Sequence, residues 1–86
     1  MSTERETARR KALLATLYFW AMATPLKLRE ELESVHGIVA SADLVRADLD
    51  WLAEMGLVRW NGEAAQCTER GRDVAAMRAK FPGEAQ

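Results

Sequence analysis

The chain has few of the residues that would brace it covalently or hold it in a membrane. It contains one cysteine, two prolines and one histidine among 86 residues. Cys67 has no partner for an internal disulfide, so stability must come from packing, and we expect the reducing cytoplasm as its location. No apolar run approaches the length of about 18 residues that a membrane-spanning helix needs. The charged start of the chain is followed by no cleavage-site pattern, so we expect no secretion signal.

Residues that do chemistry are also scarce. His36 falls in the last turn of a predicted helix, a place where the helix dipole favours a surface histidine. Cys67 has no neighbouring cysteine or histidine at metal-ligand spacing, and the segment Thr68–Gly71 holds one glycine where a phosphate-binding loop needs several. We therefore expect a protein that is not an enzyme and that uses neither a metal nor another cofactor.

Positive charge is not in excess either. The formal net charge is −1 and the pI is near 5.8, whereas a protein dedicated to DNA is usually basic. Residues 1–11 and residues 69–80 each carry four basic and two acidic side chains, while residues 41–56 carry one arginine and four carboxylates. The two ends are therefore basic and the segment between them is acidic.

The length and composition indicate one small globular domain. With 49% hydrophobic and 29% charged residues, the composition is that of a folded protein and not of a disordered one. A chain of this size buries a thin core, which oligomerisation commonly supplements. We expect one domain over residues 1–86, with residues 1–7 as an arm and residues 82–86 as a tail outside the core.

The first predicted helix is apolar on two sides. Its spacing predicts a helix from about Thr3 to Met22 or Ala23. One side, expected in the core, consists of Leu13, Leu14, Leu17, Tyr18, Trp20 and Ala21. The opposite side consists of Ala12, Ala15, Phe19 and Met22. A helix that is apolar nearly all round is buried on two sides. Either a second copy covers this side in a homodimer, or the fourth helix or the N-terminal arm does.

Two further helices have clear start and stop signals. Thr24 caps a helix that begins at Pro25 and runs to His36 before Gly37. Its expected buried residues are Leu26, Leu28, Leu32 and Val35. Ser41 caps the third helix, which ends before Gly56. Its expected buried residues are Val45, Leu49 and Leu52.

The remaining segment predicts a hairpin and a last helix. Strands over residues 57–60 and 64–67 are joined through Asn61-Gly62, a strong hairpin signal. Thr68 caps a fourth helix in which Val74, Met77 and Phe81 share one side, and which stops at Pro82-Gly83. The order α-α-α-β-β-α predicts a mainly helical fold with a small β-hairpin, the winged helix-turn-helix.

In that fold the third helix enters the major groove of DNA. With its apolar side inward, the helix turns Asp43, Ala47, Asp50 and Glu54 outward and places Arg46 on the flank. A carboxylate can accept from a cytosine amino group, but it repels phosphates. We expect Ser41, Asp43 and Arg46 to face the bases, with Lys27 and Arg29 on the second helix and Arg59 on the wing as phosphate contacts. Further basic residues could compensate for the acidic helix: Arg9, Arg10, Lys11, Arg70 and Arg72.

The acidic third helix leaves a second interpretation open. Asp43, Asp50 and Glu54 could dock on a basic surface of a host or phage protein, with no DNA bound. Leu44, Trp51 and Met55 lie along one flank of the helix, where they either anchor that partner or pack under the second helix or the hairpin.

Two segments resemble a known family. They are Arg46–Val58, RADLDWLAEMGLV, and Thr68–Ala79, TERGRDVAAMRA. Both resemble the small winged-helix, ArsR- or MarR-like proteins of Mu-like transposable phages and prophages, and the similarity covers roughly residues 8–83. The resemblance implies a phage-encoded, cytoplasmic transcriptional regulator. Family members often end in a basic tail after Pro-Gly, whereas this sequence ends Glu84-Ala85-Gln86.

Overall fold

The computed structural model describes residues 4–83, which form four helices and one β-hairpin. In chain order the elements are α1 (Glu4–Phe19), α2 (Pro25–His36), α3 (Ala42–Glu54), β1 (Val58–Trp60), β2 (Ala65–Cys67) and α4 (Glu69–Ala75). This order confirms the predicted mainly helical, winged-helix arrangement. In the described part of the chain no helix is long and apolar enough to cross a membrane.

Side-chain caps fix the starts of three helices. The hydroxyl oxygens of Thr24, Ser41 and Thr68 accept hydrogen bonds from the backbone N–H three residues ahead, at 3.3, 3.1 and 3.0 Å. Each bond satisfies one of the amide groups that a helix start leaves without a partner. At the other ends, Gly37 and Gly56 adopt the left-handed conformation, with φ of 67° and 78°. The predicted starts of these three helices and the predicted glycine stops of α2 and α3 are therefore confirmed.

The hairpin is antiparallel, with Val58 opposite Cys67 and Trp60 opposite Ala65. Each strand is one residue shorter than predicted, since β1 begins at Val58 and β2 at Ala65. The side chain of Asn61 shapes the turn between them. Its Oδ1 accepts from the backbone N–H groups of residues 63 and 64, at 2.8 and 2.9 Å.

α1 ends at Phe19, and the prediction that it continues to Met22 or Ala23 is wrong. Ala23 exchanges both backbone hydrogen bonds with Ala65, at 3.0 and 2.8 Å. It thereby adds a one-residue bridge to the hairpin. Pairing with the sheet requires an extended backbone, so the helix must end before this point.

One hydrophobic core joins all the elements. Leu13, Leu14 and Leu17 of α1 are fully buried, as are the residues predicted for α3. On α2, however, Leu26 and Val35 are 58% and 62% exposed, so their predicted burial is wrong. α2 buries the stripe through Leu28 and Leu32; Leu26 lies on the opposite side, and Val35 lies in the final turn, where the chain turns away at Gly37.

α4 is shorter than predicted, and the chain reverses after it. Met77 has a φ of 63° and is 92% exposed, although the spacing placed it in the core. Asp73 stabilises the reversal: its carbonyl accepts from the N–H of Arg78 at 2.7 Å, and its carboxylate pairs with the Arg78 guanidinium at 3.1 Å. The reversal returns Phe81 to the core, with its ring centroid 5.7 Å from that of Trp51.

Gly71 allows α4 to approach the hairpin closely. A Cβ at this position would lie 1.9 Å from the carbonyl oxygen of Leu57. That carbonyl also accepts from the N–H of Thr68 at 3.0 Å, so it cannot move freely. The start of α4 and the start of the hairpin are packed backbone to backbone.

We expect Gly71→Ala to lower the free energy of unfolding by about 2 kcal/mol, the cost of overpacking a tight site. Helix propensity alone predicts the opposite sign, a gain of about 1 kcal/mol. Urea denaturation measures the difference. Gly62→Ala is the control: it has a φ of 92° but nothing within 4 Å, so it should lose only about 1 kcal/mol from backbone strain. A Gly71→Ala protein as stable as the wild type would show that the two backbones do not meet.

Candidate nucleic-acid interface

The first two turns of α3 form an open surface. Val45, Leu49 and Leu52 are fully buried, as predicted from their spacing, and they fix which side of the helix faces out. The exposed residues on this side are Ser41, Asp43, Leu44, Arg46 and Ala47. The helix start, with its capped amide groups, belongs to the same surface.

Arg46 is the cation of this surface. Its side chain is 55% exposed and lies 3.7 Å from the carboxylate of Asp43, which is 96% exposed. An ion pair this exposed is worth little, because water screens it and both side chains lose freedom. Arg46 can therefore leave Asp43 for a phosphate or a base edge at small cost.

The other predicted phosphate contacts lie on neighbouring elements. Lys27 and Arg29 are exposed in the first half of α2, and Arg59 is exposed on β1. α2 packs against α3, and α3 packs against β1. Four basic side chains, counting Arg46, thus lie on α3 and on two elements that pack against it.

Asp48 differs from the other carboxylates of the acidic third helix. The charge of that segment suggests a solvated carboxylate, but the side chain of Asp48 is 1% exposed. Its two oxygens accept from Arg9 and Arg10 of α1; Nη2 of Arg9 and Nε of Arg10 each lie close to Oδ1, at 3.1 and 3.0 Å, and Nε of Arg9 donates to Oδ2. The available signal was its position on the apolar stripe between Val45 and Leu52, at core spacing.

The two arginines are consequently held in an internal ion group, and the prediction that they compensate for the acidic helix at a DNA surface is wrong. Their side chains are 13% and 11% exposed. Arg10 also pairs with Glu6 at 3.4 Å and lies 4.2 Å from the ring centroid of Trp51. The hydrogen bond from Arg9 to Asp48 raises the pKa of the guanidinium, and burial opposes that shift. Residues 4–7, expected in the arm, belong to α1, since these contacts hold its first turns.

The remaining carboxylates of α3 have different surroundings. Oδ1 of Asp50 accepts from the indole Nε1–H of Trp60 at 2.8 Å, which ties the helix to the hairpin. Glu54 is exposed in the last turn. Asp43, Asp50 and Glu54 all reach solvent, and only Asp48 is withdrawn from the surface.

The flank predicted as a source of partner anchors is mostly packed within the chain. Trp51 and Met55 are partly buried against the core, while Leu44 is 43% exposed. Trp51 lies between Arg10 and Phe81. Of the three side chains, Leu44 has the most surface to offer a partner.

The second apolar side of α1 is divided. Ala12 is buried and Ala15 is half-buried, and α4 packs against this part of the helix. Ala12 therefore has no surface for a partner, which corrects its assignment to an interface. Phe19, the last residue of α1, and Met22, three residues after it, are 80% and 59% exposed. The homodimer stays a prediction that depends on these two residues.

Cys67 lies at the end of β2, and His36 lies at the end of α2. Burial raises the pKa of the Cys67 thiol, and the positive charge of Arg72 partly opposes the shift. Cys67 Sγ lies 3.8 Å from the carbonyl oxygen of Leu14, as for a small buried side chain. His36 is exposed at the end of α2. Within residues 4–83 no three histidine, cysteine or acidic residues are grouped as metal ligands.

Comparison with known proteins adds no relative: no family model, curated protein or solved structure matches the chain significantly. The function must therefore be argued from the geometry and charge described above.

We expect Asp48→Ala to lower the free energy of unfolding by about 3 kcal/mol. Removing one partner of a buried ion pair leaves the other charge without compensation. Here the guanidinium groups of Arg9 and Arg10 both lose their counter-charge. Asp43→Ala is the matched control because its carboxylate is exposed, and its effect should stay within about 0.5 kcal/mol. Urea denaturation of both variants gives the comparison. Equal stabilities would mean that Asp48 does not hold α1 against α3.

Proposed function

We propose that the protein is a winged-helix transcriptional regulator that binds double-stranded DNA through α3. The observation that carries the proposal is the open surface of the first two turns of α3, presented outward by a fully buried opposite side. In helix-turn-helix proteins it is this part of the recognition helix that contacts base edges. The resemblance to phage winged-helix regulators favours the same function, with a cytoplasmic location and promoters of the phage or its host as targets.

The charges of the exposed residues suggest which of them would contact bases and which would contact phosphates. Arg46 is the candidate for a base or phosphate contact, and Asp43 can accept from a cytosine amino group. Lys27 and Arg29 on α2 and Arg59 on β1 would neutralise phosphates on either side of the groove. The withdrawal of Asp48 into the core removes one of the carboxylates that would repel the DNA backbone.

A homodimer would give the protein two recognition helices. Phe19 and Met22 are the exposed apolar residues at the end of α1 that a second copy would cover. Two-fold symmetry would then present two α3 helices to half-sites about 34 Å apart, one turn of DNA. A single copy would contact DNA through the four cations Lys27, Arg29, Arg46 and Arg59, which make few phosphate contacts, so two copies would bind far more tightly.

The proposal is tested by titrating labelled duplexes that tile the control region next to the gene, followed by fluorescence anisotropy at about 50 and 200 mM salt. We expect Arg46→Ala to weaken binding to the best duplex by about 1–3 kcal/mol, the value of a good base contact. Arg78→Ala is the control, since Arg78 is paired with Asp73 after α4. If Arg46→Ala and Arg78→Ala bind as tightly as the wild type, α3 does not dock on DNA in this way.

A second function, docking on a protein, is favoured by exposed apolar residues in and beside the connection between α2 and α3. Val35, Val39 and Leu44 are 62%, 81% and 43% exposed and follow one another around that connection. Residues 24–64 carry eight acidic and four basic side chains, and of these acidic side chains only that of Asp48 is buried. An apolar strip within an acidic surface would suit a basic protein surface, with Asp43, Asp50 and Glu54 forming the ion pairs.

One substitution separates the two functions because it affects them in opposite directions. We expect Asp43→Lys to tighten binding to a generic duplex, where no base contact of Asp43 is involved, about threefold to tenfold, since it removes a repulsive charge beside the phosphates and adds an attractive one. For a basic protein partner the same change replaces attraction with repulsion and weakens capture. Glu63→Lys at the hairpin turn controls for net charge alone. If Asp43→Lys leaves the affinity for a generic duplex unchanged or lowers it, α3 is not the DNA-facing helix.

A further inference from the structure

Asp43 and Arg46 lie one turn apart on the outward side of α3, and their charged ends meet in solvent. Nη1 of Arg46 lies 3.7 Å from Oδ1 of Asp43, so a donor and an acceptor stand side by side. Ala47, which is exposed on the same side, carries only a methyl group and would let the helix lie close to the floor of a groove. The pair is therefore placed to reach base edges if α3 enters the major groove.

The surroundings of Asp43 differ from those of the neighbouring carboxylates of α3. Asp48 is buried in the ion group with α1, and Asp50 accepts from the indole N–H of Trp60, so both connect α3 to other elements. The carboxylate of Asp43 is 96% exposed and pairs with Arg46 on its own helix. An ion pair this exposed contributes little to stability, so both charged ends are available to a partner.

The major-groove edge of a G·C base pair has the complementary arrangement. Guanine offers two neighbouring acceptors, N7 and O6, and cytosine offers a donor at N4. O6 and N4 are hydrogen-bonded to each other, so they lie about 3 Å apart. A guanidinium can donate to N7 and O6 together while a carboxylate beside it accepts from N4. In an A·T pair the N6 donor separates the acceptors N7 and O4, so the same two side chains do not fit.

We propose that Asp43 and Arg46 act as one unit that reads a single G·C base pair. Arg46 would contact the guanine, and Asp43 would contact the cytosine that is paired with it. This inference rests on the proposed function, because it requires α3 to lie in the major groove. It adds the chemical identity of the target, which is duplex DNA with a G·C pair opposite the first two turns of α3.

The unit also explains how an acidic residue can serve a DNA-binding helix. Asp43 repels phosphates on every sequence, but it gains a hydrogen bond only where a base amino group meets it. The carboxylate therefore lowers non-specific affinity more than specific affinity, which raises the ratio between the two. Removing it should have opposite effects on a generic duplex and on the target.

The test is a set of duplexes in which each base pair of the best site is replaced in turn, measured by fluorescence anisotropy with the full chain. We expect the wild type to lose about tenfold in affinity when one G·C pair is replaced. Arg46→Ala and Asp43→Ala should each lose most of the preference at that same pair. On a generic duplex, Asp43→Ala should bind about twofold more tightly than the wild type. Glu33→Ala, which removes an exposed carboxylate from α2, is the control and should keep the preference.

Changes of single groups in the DNA assign each side chain to its base. 7-Deazaguanine lacks the N7 acceptor, so it should weaken binding of the wild type and leave Arg46→Ala unaffected. N4-Methylcytosine places a methyl group where the carboxylate would accept, so it should weaken binding of the wild type and leave Asp43→Ala unaffected.

Two results would overturn the proposal and leave the proposed function intact. In one, Arg46→Ala and Asp43→Ala lose their preferences at different base pairs; in the other, Asp43→Ala discriminates as well as the wild type. Amide shifts in residues 41–47 on DNA binding would show in both cases that α3 still docks. If the wild type binds no duplex at about 50 mM salt, where phosphate contacts are strongest, the proposed function fails and the G·C unit fails with it.

Discussion

The carboxylate of Asp48, held between the guanidinium groups of Arg9 and Arg10, connects the first helix to the third, and the position of the other elements follows from that connection. A carboxylate this deeply buried must be paired or it would destabilise the fold. The pairing fixes the first turns of α1, which in turn place Arg10 over Trp51. Trp51 contacts Phe81, so the end of the described chain is held to the same cluster. One buried ion group thus joins α1, α3 and the segment after α4.

This pairing changes which charged side chains of the protein are available to a partner. Arg9 and Arg10 of the basic N-terminal segment are used for internal pairing, so they are not available to a partner. The DNA surface that we propose on α3 would draw on Lys27, Arg29, Arg46 and Arg59, against carboxylates that still reach solvent. Because non-specific affinity follows the number of phosphates neutralised, a monomer with this surface should bind DNA weakly. Specific contacts from α3 and a second copy would have to supply the remainder.

The parts of the fold that the sequence predicts well are those set by local chemistry. The caps at Thr24, Ser41 and Thr68, the glycine stops and the buried side of α3 each depend on a few neighbouring residues, and all are confirmed. The errors arise where distant residues decide. Ala23 leaves the helix because Ala65 pairs with it, and Met77 leaves the core because Asp73 and Arg78 reverse the chain.

The same distinction applies to the candidate site. The outward direction of Arg46 follows from the apolar spacing of α3 and could be predicted. The burial of Asp48 could have been suspected from its place on the apolar stripe, but its partners lie 38 and 39 residues away. The division of the second apolar side of α1 depends on how far α4 extends, which the sequence overestimates.

The most direct test of the account is to map a bound duplex on the protein by ¹H–¹⁵N NMR at about 50 mM salt, where non-specific binding is strong enough to detect. The account predicts amide shifts concentrated in residues 41–47, with smaller shifts around Lys27, Arg29 and Arg59. Residues 74–81, at the end of α4 and just after it, should not shift. Shifts confined to α1 and α4, or no shifts with DNA in excess, would contradict the assignment of α3 as the DNA-facing helix.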